Sequence, residues 1–379
     1  MGNSLEYNKA MDIRKSNANL HRDAWVEVNL TKLADNIEAI KSLTNKDILA
    51  VIKADAYGHG ATMCAPILLA SGVKMLGVAS VDEGLDLRKA KIKAPVLVLG
   101  TVPVWALEVA VKNNIQVPLF TDEQLNACEE LYSRTGMKVV AHIKLDTGMN
   151  RIGVGIEKAV EFIKRVQQSQ AVVLKGIFTH LANAEDEEKT EKQISNWNSI
   201  IEQIDVSKLI LHILNTAGLM TYDVESDMVR AGIALYGLYP DLIKGISKVP
   251  QLTPVMALKG RITNIHKVKK GEGVSYGYTY CADKDVTVAT IPIGYADGVS
   301  RSLSNKIYGM INGVKVKQVG NITMDQMMFD ITGVNAKTGD IIELLNDELT
   351  IDEWAKLLNT INYELTCRLK VRLPRVYVR

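Results

Sequence analysis

The residue with the clearest chemical potential is Lys53, which directly follows a short apolar run at residues 47–52. Residues 57–60 read Tyr-Gly-His-Gly, and glycines at a turn let the backbone approach a bound anion closely. A lysine amine that packing makes neutral is a nucleophile and can form a Schiff base with a carbonyl compound. Taken alone, Val-Ile-Lys at 51–53 would be a solvated surface lysine, so the other polar residues must decide between the two interpretations.

Further polar residues also come at the ends of apolar runs. Each of them has an ordinary interpretation as a capping, turn or packing residue. Active sites of (β/α)₈ barrels lie at the C-terminal ends of the strands, so residues that share this position would face one another. Their shared position favours a single site, built from Lys53, residues 146–151, His180, Asn215 with Thr216, and residues 230–233.

The elements that must position these residues are repeated βα units. Between residues 24 and 240, short β-branched runs alternate with amphipathic stretches of helical period. Helices are predicted over 31–43, 82–90 and 121–132, with Thr31 and Thr121 as N-caps. Eight strands predict a TIM-like (β/α)₈ barrel over residues 23–254, with strands at 48–53, 75–79, 95–99, 115–119, 139–145, 174–180, 209–214 and 228–236.

The composition changes after Pro254. From there, short runs alternate apolar and polar residues and are separated by glycines, which is typical of antiparallel strands. One helix is predicted near residues 352–358. The sequence therefore predicts an α/β protein in which the barrel is followed by a mainly antiparallel β domain over 255–379.

Charge and composition exclude several function classes. The 45 Lys and Arg residues nearly balance the 43 Asp and Glu residues, so no global field recruits nucleic acid. The sequence contains no apolar run long enough to span a bilayer, so we expect no membrane contact by this chain. Four scattered cysteines favour a reducing, cytoplasmic compartment, and neither they nor the histidines show the spacing of a metal site. The polar, basic residues 1–22 are predicted to be a flexible leader, or a linker from a larger membrane-anchored protein.

Residues 53–60, Lys-Ala-Asp-Ala-Tyr-Gly-His-Gly, resemble the cofactor-lysine signature of bacterial alanine racemases. The resemblance implies that Lys53 carries pyridoxal 5′-phosphate (PLP) and that Arg230 faces the pyridine nitrogen of the cofactor. An arginine stays protonated and cannot hand a proton to that nitrogen, which favours removal and return of the α proton over transamination. The remaining cofactor-binding positions implied in the barrel are Tyr57, His180, Asn215, Thr216, Gly232 and Ile233.

The segment 144–153 resembles the family loop that binds substrate. Its Arg151 is implied to bind the substrate carboxylate and the phenolic oxygen of the cofactor. Lys144 matches a lysine that in many members carries a carbamate and orients that arginine. His180 is implied to pack behind the cofactor and to hydrogen-bond the catalytic tyrosine.

Motifs in the second domain resemble the other half of the family's site. Segment 273–277 implies that Tyr276 is the second catalytic base, contributed across the interface of a homodimer. Tyr295, in segment 291–298, is implied to gate the entrance. The Met324 amide, with Asp325 beside it, would meet the substrate carboxylate, and Tyr363 would reach the cofactor phosphate and narrow the pocket around the substrate side chain.

The resemblance thus implies a PLP-dependent racemase that interconverts L- and D-alanine and supplies D-amino acid for peptidoglycan. Lys53 and Tyr276 would act on opposite faces of Cα, as inversion requires. Thr216 and Thr323 stand where many members have Ser and Cys, and Asn321 where many have Arg. These departures leave open a serine racemase of the kind found in VanT-type vancomycin-resistance proteins.

Two rival functions belong to other classes. A non-catalytic PLP-binding barrel would keep the lysine strand but lack a second domain, so residues 256–379 count against it. A barrel-type PLP decarboxylase would place an acidic group at the pyridine nitrogen, whereas this chain offers Arg230. A role as a scaffold alone would leave Lys53, Arg151 and Tyr276 without a purpose.

Overall fold

The computed structural model describes residues 21–184, 186–240 and 249–379. The chain divides into two compact units. One unit is Leu33–Leu252, and the other joins the described residues up to Lys32 with Thr253–Arg379.

The first unit is a barrel of eight parallel strands. The eighth strand pairs with the first in the register Met228↔Asp47 to Ala231↔Ala50. Between the seventh and eighth strands, the amides of Asp227 and Arg230 donate to the carbonyls of Leu211 and Leu214, each at 2.9 Å. The barrel is therefore nearly closed, which confirms the predicted fold. Its strands are Asp47–Val51, Met75–Val78, Val96–Val98, Ile115–Leu119, Val139–Asp146, Val172–Phe178, Ile210–His212 and Met228–Ala231.

Helices on the outside cover these strands, so the strands read as apolar runs rather than as alternating patterns. Thr121 caps its helix by accepting a hydrogen bond from the Gln124 amide at 3.2 Å, as predicted. The prediction that Thr31 is an N-cap is wrong, because the Asn29 side chain accepts from the amides of Thr31 and Lys32, each at 3.0 Å. The helices are Leu30–Lys41, Ala61–Ala70, Val81–Lys89, Leu107–Lys112, Asp122–Thr135, Ile156–Gln168, Glu187–Ile201 and Thr216–Thr221, with 3₁₀ turns at Val104–Ala106 and Ile233–Tyr236 and a short strand at Val154–Gly155.

The second unit is built on a nine-stranded sheet. Its strand Ala24–Asn29 pairs antiparallel with Met256–Arg261 and parallel with Arg375–Val378. Both edges of this strand are thus paired within the β unit, although the predicted barrel region began at residue 23. The remaining strands, in sheet order, are Asn264–Val268, Val286–Ile291, Met327–Asp330, Val314–Val319, Tyr308–Ile311 and Ile341–Leu345, and Gly273–Val274 forms a separate hairpin with Tyr280–Cys281.

Two helices precede the last strand of the sheet, where one helix was predicted. Ile351–Leu358 lies where a helix was expected, and Asn362–Arg368 is an additional short helix. The second helix has no side-chain cap, but the Asn362 amide group donates to Asp352 at 2.8 Å and joins the two helices. Such a tertiary contact is invisible to helix periodicity. Short 3₁₀ turns lie at Tyr276–Tyr278, Tyr295–Asp297 and Arg301–Leu303.

Within the described part of the chain, no helix has the length and apolar character needed to cross a bilayer.

Candidate active site

Lys53 follows the first barrel strand and is half-buried at the start of a left-handed turn. The four residues after it, Ala54, Asp55, Ala56 and Tyr57, have φ angles of 52°, 54°, 54° and 54°. Left-handed helical backbone costs about 1–2 kcal/mol for each residue that carries a Cβ. The surrounding structure must therefore hold this turn in place.

Two carboxylates hold the turn through backbone amides. Glu83 accepts hydrogen bonds from the Ala54 amide at 2.8 Å and from the Ala79 amide at 2.7 Å. Asp55 accepts from the Ala61 amide at 2.7 Å. Hydrogen bonds to charged acceptors are among the stronger ones in proteins, at about 1.5–3 kcal/mol each, so they offset much of the cost of the left-handed conformation.

The Tyr57 hydroxyl lies against Gly232. A Cβ added to Gly232 would lie 2.9 Å from that hydroxyl oxygen, closer than a real Cβ approaches another atom. The Gly232 amide donates to the Thr216 hydroxyl at 3.0 Å, and Asn215 caps the helix that Thr216 begins by accepting from the Gly218 amide at 2.8 Å. Two hydroxyls and a glycine backbone thus meet at one point, and their predicted role in holding a phosphate stays a prediction.

Arg230 lies fully within the barrel and its guanidinium is held on two sides. One terminal nitrogen donates to the His212 carbonyl at 2.7 Å and to His212 Nδ1 at 3.2 Å. The other donates to the Thr179 and Ile213 carbonyls at 2.6 and 2.9 Å and to His180 Nδ1 at 3.1 Å. Burial lowers the pKa of Arg230 to about 9, so it stays protonated at neutral pH. Its Nε–H has no partner among the described protein groups and remains available as a donor.

Three neutral histidines are connected to this guanidinium. His180 and His212 contact it directly, and His142 is linked to it through His212. A guanidinium can only donate, so Nδ1 of His180 and of His212 must accept. His212 Nε2 then donates to His142 Nδ1 at 2.9 Å, and His142 Nε2 donates to Gln116 at 3.0 Å. Burial lowers the pKa of His142 to about 3, and burial with the Arg230 charge lowers the pKa of His180 well below its usual value. His142 and Gln116 were not predicted from the sequence.

Lys144 is buried, with a relative exposure of 2%. Its Nζ donates to the Leu145 carbonyl at 2.6 Å and lies 5.6 Å from the centre of the Phe178 ring. Burial, with the positive charge of Arg230, lowers its pKa from 10.5 to about 7. A substantial fraction of the amine is therefore neutral at neutral pH, which is the form that reacts with CO₂.

Arg151 is exposed and follows a loop that the Asp146 carboxylate organises. Asp146 accepts hydrogen bonds from the amides of Gly148 and Asn150 at 3.1 and 3.0 Å. Gly153 has φ +131°, and a Cβ there would lie 2.6 Å from the Asp146 nitrogen. The loop conformation thus requires a glycine and a carboxylate at these positions.

Gln193 joins this loop to the next strand end and was missed from the sequence. Its amide nitrogen donates to the Thr147 hydroxyl and to the His180 carbonyl, each at 3.2 Å. Its oxygen accepts from the Ala182 amide at 2.8 Å. Gln193 lies in the polar helix Glu187–Ile201, and no local pattern distinguishes it from a solvated residue.

The predicted residues of the β unit gather around loop 320–326. The Asn321 amide group donates to the Tyr276 carbonyl at 2.7 Å, and the Tyr295 amide donates to the Thr323 carbonyl at 2.9 Å. Tyr276, Tyr295 and Met324 have relative exposures of 75%, 42% and 53% within this chain. Exposed apolar side chains that cluster in this way are typical of an interaction surface.

Two further predicted residues of this unit are Asp325, in the same loop, and Tyr363. Asp325 accepts a hydrogen bond from Arg372 at 2.6 Å. Tyr363 is half-buried in the helix Asn362–Arg368, and its carbonyl accepts from the Thr366 hydroxyl at 3.1 Å. The role of Tyr363 toward a phosphate stays a prediction.

The two units match two domain models of one class of enzyme, the racemases. Residues 28–240 match the family model described as alanine racemase, N-terminal domain. Residues 255–377 match the model described as alanine racemase, C-terminal domain. The chain belongs to the alanine racemase family, and the predicted enzyme class is confirmed.

Individual relatives agree with this assignment. An alanine racemase of Desulfovibrio desulfuricans is 40% identical over 370 residues, which cover 94% of this chain and 98% of that protein. The structure of an alanine racemase of Clostridium difficile 630 superposes with a TM-score of 0.90 at 38% identity, covering 95% of this chain and 97% of that one.

A relative named for another amino acid has nearly the same fold. A histidine racemase from Leuconostoc mesenteroides superposes with a TM-score of 0.88 at 29% identity, covering 95% of this chain and 99% of that one. The fold alone therefore does not define the amino acid, and the substrate must be argued separately.

Proposed function

We propose that this protein is a PLP-dependent racemase that interconverts L- and D-alanine and supplies D-alanine for peptidoglycan precursors. The observation that carries the proposal is Arg230. Its four terminal N–H groups are held by carbonyls and neutral histidines. Its Nε–H would donate toward the pyridine nitrogen of the cofactor. Because an arginine cannot hand its proton to that nitrogen, the ring withdraws electrons less strongly. This favours removal and return of the α proton over side reactions such as transamination.

The barrel residues fit PLP. Bound PLP supplies an electron-withdrawing ring that acidifies the Cα proton of the amino acid. Lys53 would carry it, and the Tyr57 and Thr216 hydroxyls, with the Gly232 and Ile233 amides, would hold its phosphate. The absence of a Cβ at Gly232 keeps open the space beside the Tyr57 hydroxyl. Hydroxyls and backbone amides suit a phosphate dianion.

The remaining side chains would orient the substrate and move its proton. Lys53 would remove or return the proton on the face used by D-alanine, and Tyr276 would do so on the face used by L-alanine. Arg151 and the Met324 amide would bind the substrate carboxylate. His180 is neutral and accepts from Arg230 through Nδ1, so its Nε2–H can donate to a tyrosine oxygen.

We propose a homodimer in which each β unit contributes Tyr276 to the site of the partner subunit. The support is the exposed cluster of Tyr276, Tyr295 and Met324 around loop 320–326. An aromatic surface of this kind is stable in water when a partner covers it.

Alanine is the proposed substrate because Tyr363 would narrow the pocket to the size of a methyl group. The relative from Desulfovibrio desulfuricans, matched over 98% of its length, is named an alanine racemase, which favours alanine over the serine alternative. An apolar pocket discriminates against one added hydroxyl by only about 10². Serine is therefore expected to be a slower substrate.

The test is incubation of the PLP-loaded protein with a panel of L-amino acids that includes alanine, serine and histidine, followed by chiral chromatography. Alanine should show the highest kcat/KM, and Lys53→Ala should abolish turnover. A higher kcat/KM for serine would replace the assignment with the serine racemase. PLP binding without racemisation of any amino acid would favour the non-catalytic barrel.

The two-base assignment is tested by exchange of the α proton for solvent deuterium in single turnover. Tyr276→Phe should slow exchange from L-alanine far more than from D-alanine. Equal losses from both enantiomers would rule out the assignment. Steady-state rates alone are not sufficient, because the equilibrium constant of racemisation links the two directions.

A further inference from the structure

Each of the two proposed bases lies next to backbone in a conformation that L-residues rarely adopt. Lys53 precedes four consecutive residues with positive φ. Tyr276 follows Ser275, which has φ 66° and ψ −177°, a combination that is essentially restricted to glycine. Strained backbone of this kind costs about 1–3 kcal/mol per residue and persists only where the surroundings hold it.

Glu83 holds the beginning of the turn after Lys53. Its two carboxylate oxygens accept from the Ala54 amide at 2.8 Å and the Ala79 amide at 2.7 Å. The bond to Ala79 is a local one near the start of the helix Val81–Lys89, whose Ser80 cap accepts from the Glu83 amide. Helix capping does not require the bond to Ala54, which joins residues 29 positions apart. The bond to Ala54 therefore fixes the backbone amide directly after Lys53.

Asn321 holds the turn at Tyr276 through its side chain and its backbone. Its side-chain amide donates to the Tyr276 carbonyl at 2.7 Å, and its backbone carbonyl accepts from the Ser275 hydroxyl at 2.7 Å. Asn321 is buried, with 9% relative exposure, although Tyr276 itself is exposed. The neighbouring Gly320 has φ +75°, and a Cβ there would lie 2.6 Å from the Val274 carbonyl oxygen, so the two segments are in close backbone contact.

We propose that Glu83 and Asn321 are positioning residues, each of which aims one of the two bases at Cα. The inference rests on the proposed function of Lys53 and Tyr276. Among the described residues, the Glu83 carboxylate bonds the Lys53 turn and the adjacent strand end, and the Asn321 side chain bonds the Tyr276 turn. Loss of either side chain therefore affects one face of the substrate, whereas a general loss of structure affects both.

The test measures α-deuterium exchange in single turnover, from D- and from L-alanine, with the full chain loaded with PLP. Glu83→Gln should slow exchange from D-alanine at least about tenfold more than exchange from L-alanine. Asn321→Asp should show the opposite bias, because its carboxylate cannot donate to the Tyr276 carbonyl. Misplacement of a catalytic group by about 1 Å can cost about 10²-fold in rate, so tenfold is a conservative threshold.

Matched controls are available in both units. Asp86→Asn removes a carboxylate from the same helix as Glu83, where it pairs only locally with exposed Lys89. Asn312→Asp removes an amide that also donates to a backbone carbonyl, that of Asn335 at 3.0 Å. Both controls should leave the ratio of the two exchange rates within about twofold of the parent protein.

Three outcomes are distinct. Opposite biases for the two variants support the inference. Equal losses from both enantiomers, while Tyr276→Phe retains its bias, overturn the inference and leave the proposed function intact. Absence of bias in Tyr276→Phe itself overturns the two-base function and the inference with it. Should Glu83→Gln fail to fold or to bind PLP, Glu83→Asp, which keeps the charge on a shorter side chain, carries the same expectation.

Discussion

Gly232→Ala should weaken binding of PLP, because the space beside the Tyr57 hydroxyl is too small for a methyl group. The added Cβ would lie 2.9 Å from that hydroxyl oxygen, while ordinary contacts begin near 3.4 Å. The other nearest atoms, Cζ of Tyr57 and Cβ of Val51, lie at 3.6 and 3.9 Å and are ordinary contacts. The strain therefore arises from one atom, which must move by about half an ångström.

The expected magnitude follows from this single overlap. Inserting a methyl group into a packed site costs about 1–3 kcal/mol. If that cost falls on the form that binds the cofactor, Kd for PLP rises roughly 5- to 150-fold, at 1.4 kcal/mol for each factor of ten. Titration of the stripped protein with PLP, followed by absorbance, measures the change.

Two comparisons make the result specific. Gly155→Ala adds the same methyl where, among the described residues, the end of the flexible Glu157 side chain at 3.3 Å is the single atom within 4 Å, so it should leave Kd unchanged. In a Tyr57→Phe background the overlapping oxygen is gone, so Gly232→Ala should cost at least about 1 kcal/mol less than in the parent. An unchanged Kd for Gly232→Ala, or strict additivity with Tyr57→Phe, would refute the reasoning.

Three further predictions concern the partner subunit, the buried lysine and the substrate. Mixing inactive Lys53→Ala and Tyr276→Phe proteins should restore up to about a quarter of full activity by random exchange of subunits; no recovery despite demonstrated exchange would indicate sites within single chains. Folding lowers the pKa of Lys144 from 10.5 to about 7. Below pH 7 the folded protein buries a charged amine, which lowers the free energy of unfolding, and this loss is relieved as the pH rises from 7 toward 10.5. A carbamate ¹³C resonance from labelled bicarbonate should therefore grow as the pH rises through 7 and should be missing in Lys144→Arg. Tyr363→Asn should raise kcat/KM for serine relative to alanine, and an unchanged ratio would remove Tyr363 from the specificity pocket.

Some features of this protein follow from local sequence. Eight β-branched runs with helical stretches between them predicted the barrel, because the period of apolar residues directly reports which faces are buried. Thr121 was predicted as a cap from its type and position, since a cap needs only a hydroxyl two or three residues before an orphan amide. The lysine at the end of the first strand and the family motifs around it were also identified from short stretches of contiguous sequence.

Other features depend on residues far apart in the chain, and only the tertiary structure decided them. Strand Ala24–Asn29 pairs with segments more than 200 residues away, so local pattern could not assign it to the β unit. The same holds for the Glu83 bond to the Ala54 amide and for the line from Arg230 through His212 and His142 to Gln116. Polar side chains of these types are ordinarily solvated or caps, and their roles appear only when folding buries them beside particular backbone groups. The sequence therefore predicted which residues could do chemistry, whereas the contacts that position those residues arise from long-range packing and could be identified only in the tertiary structure.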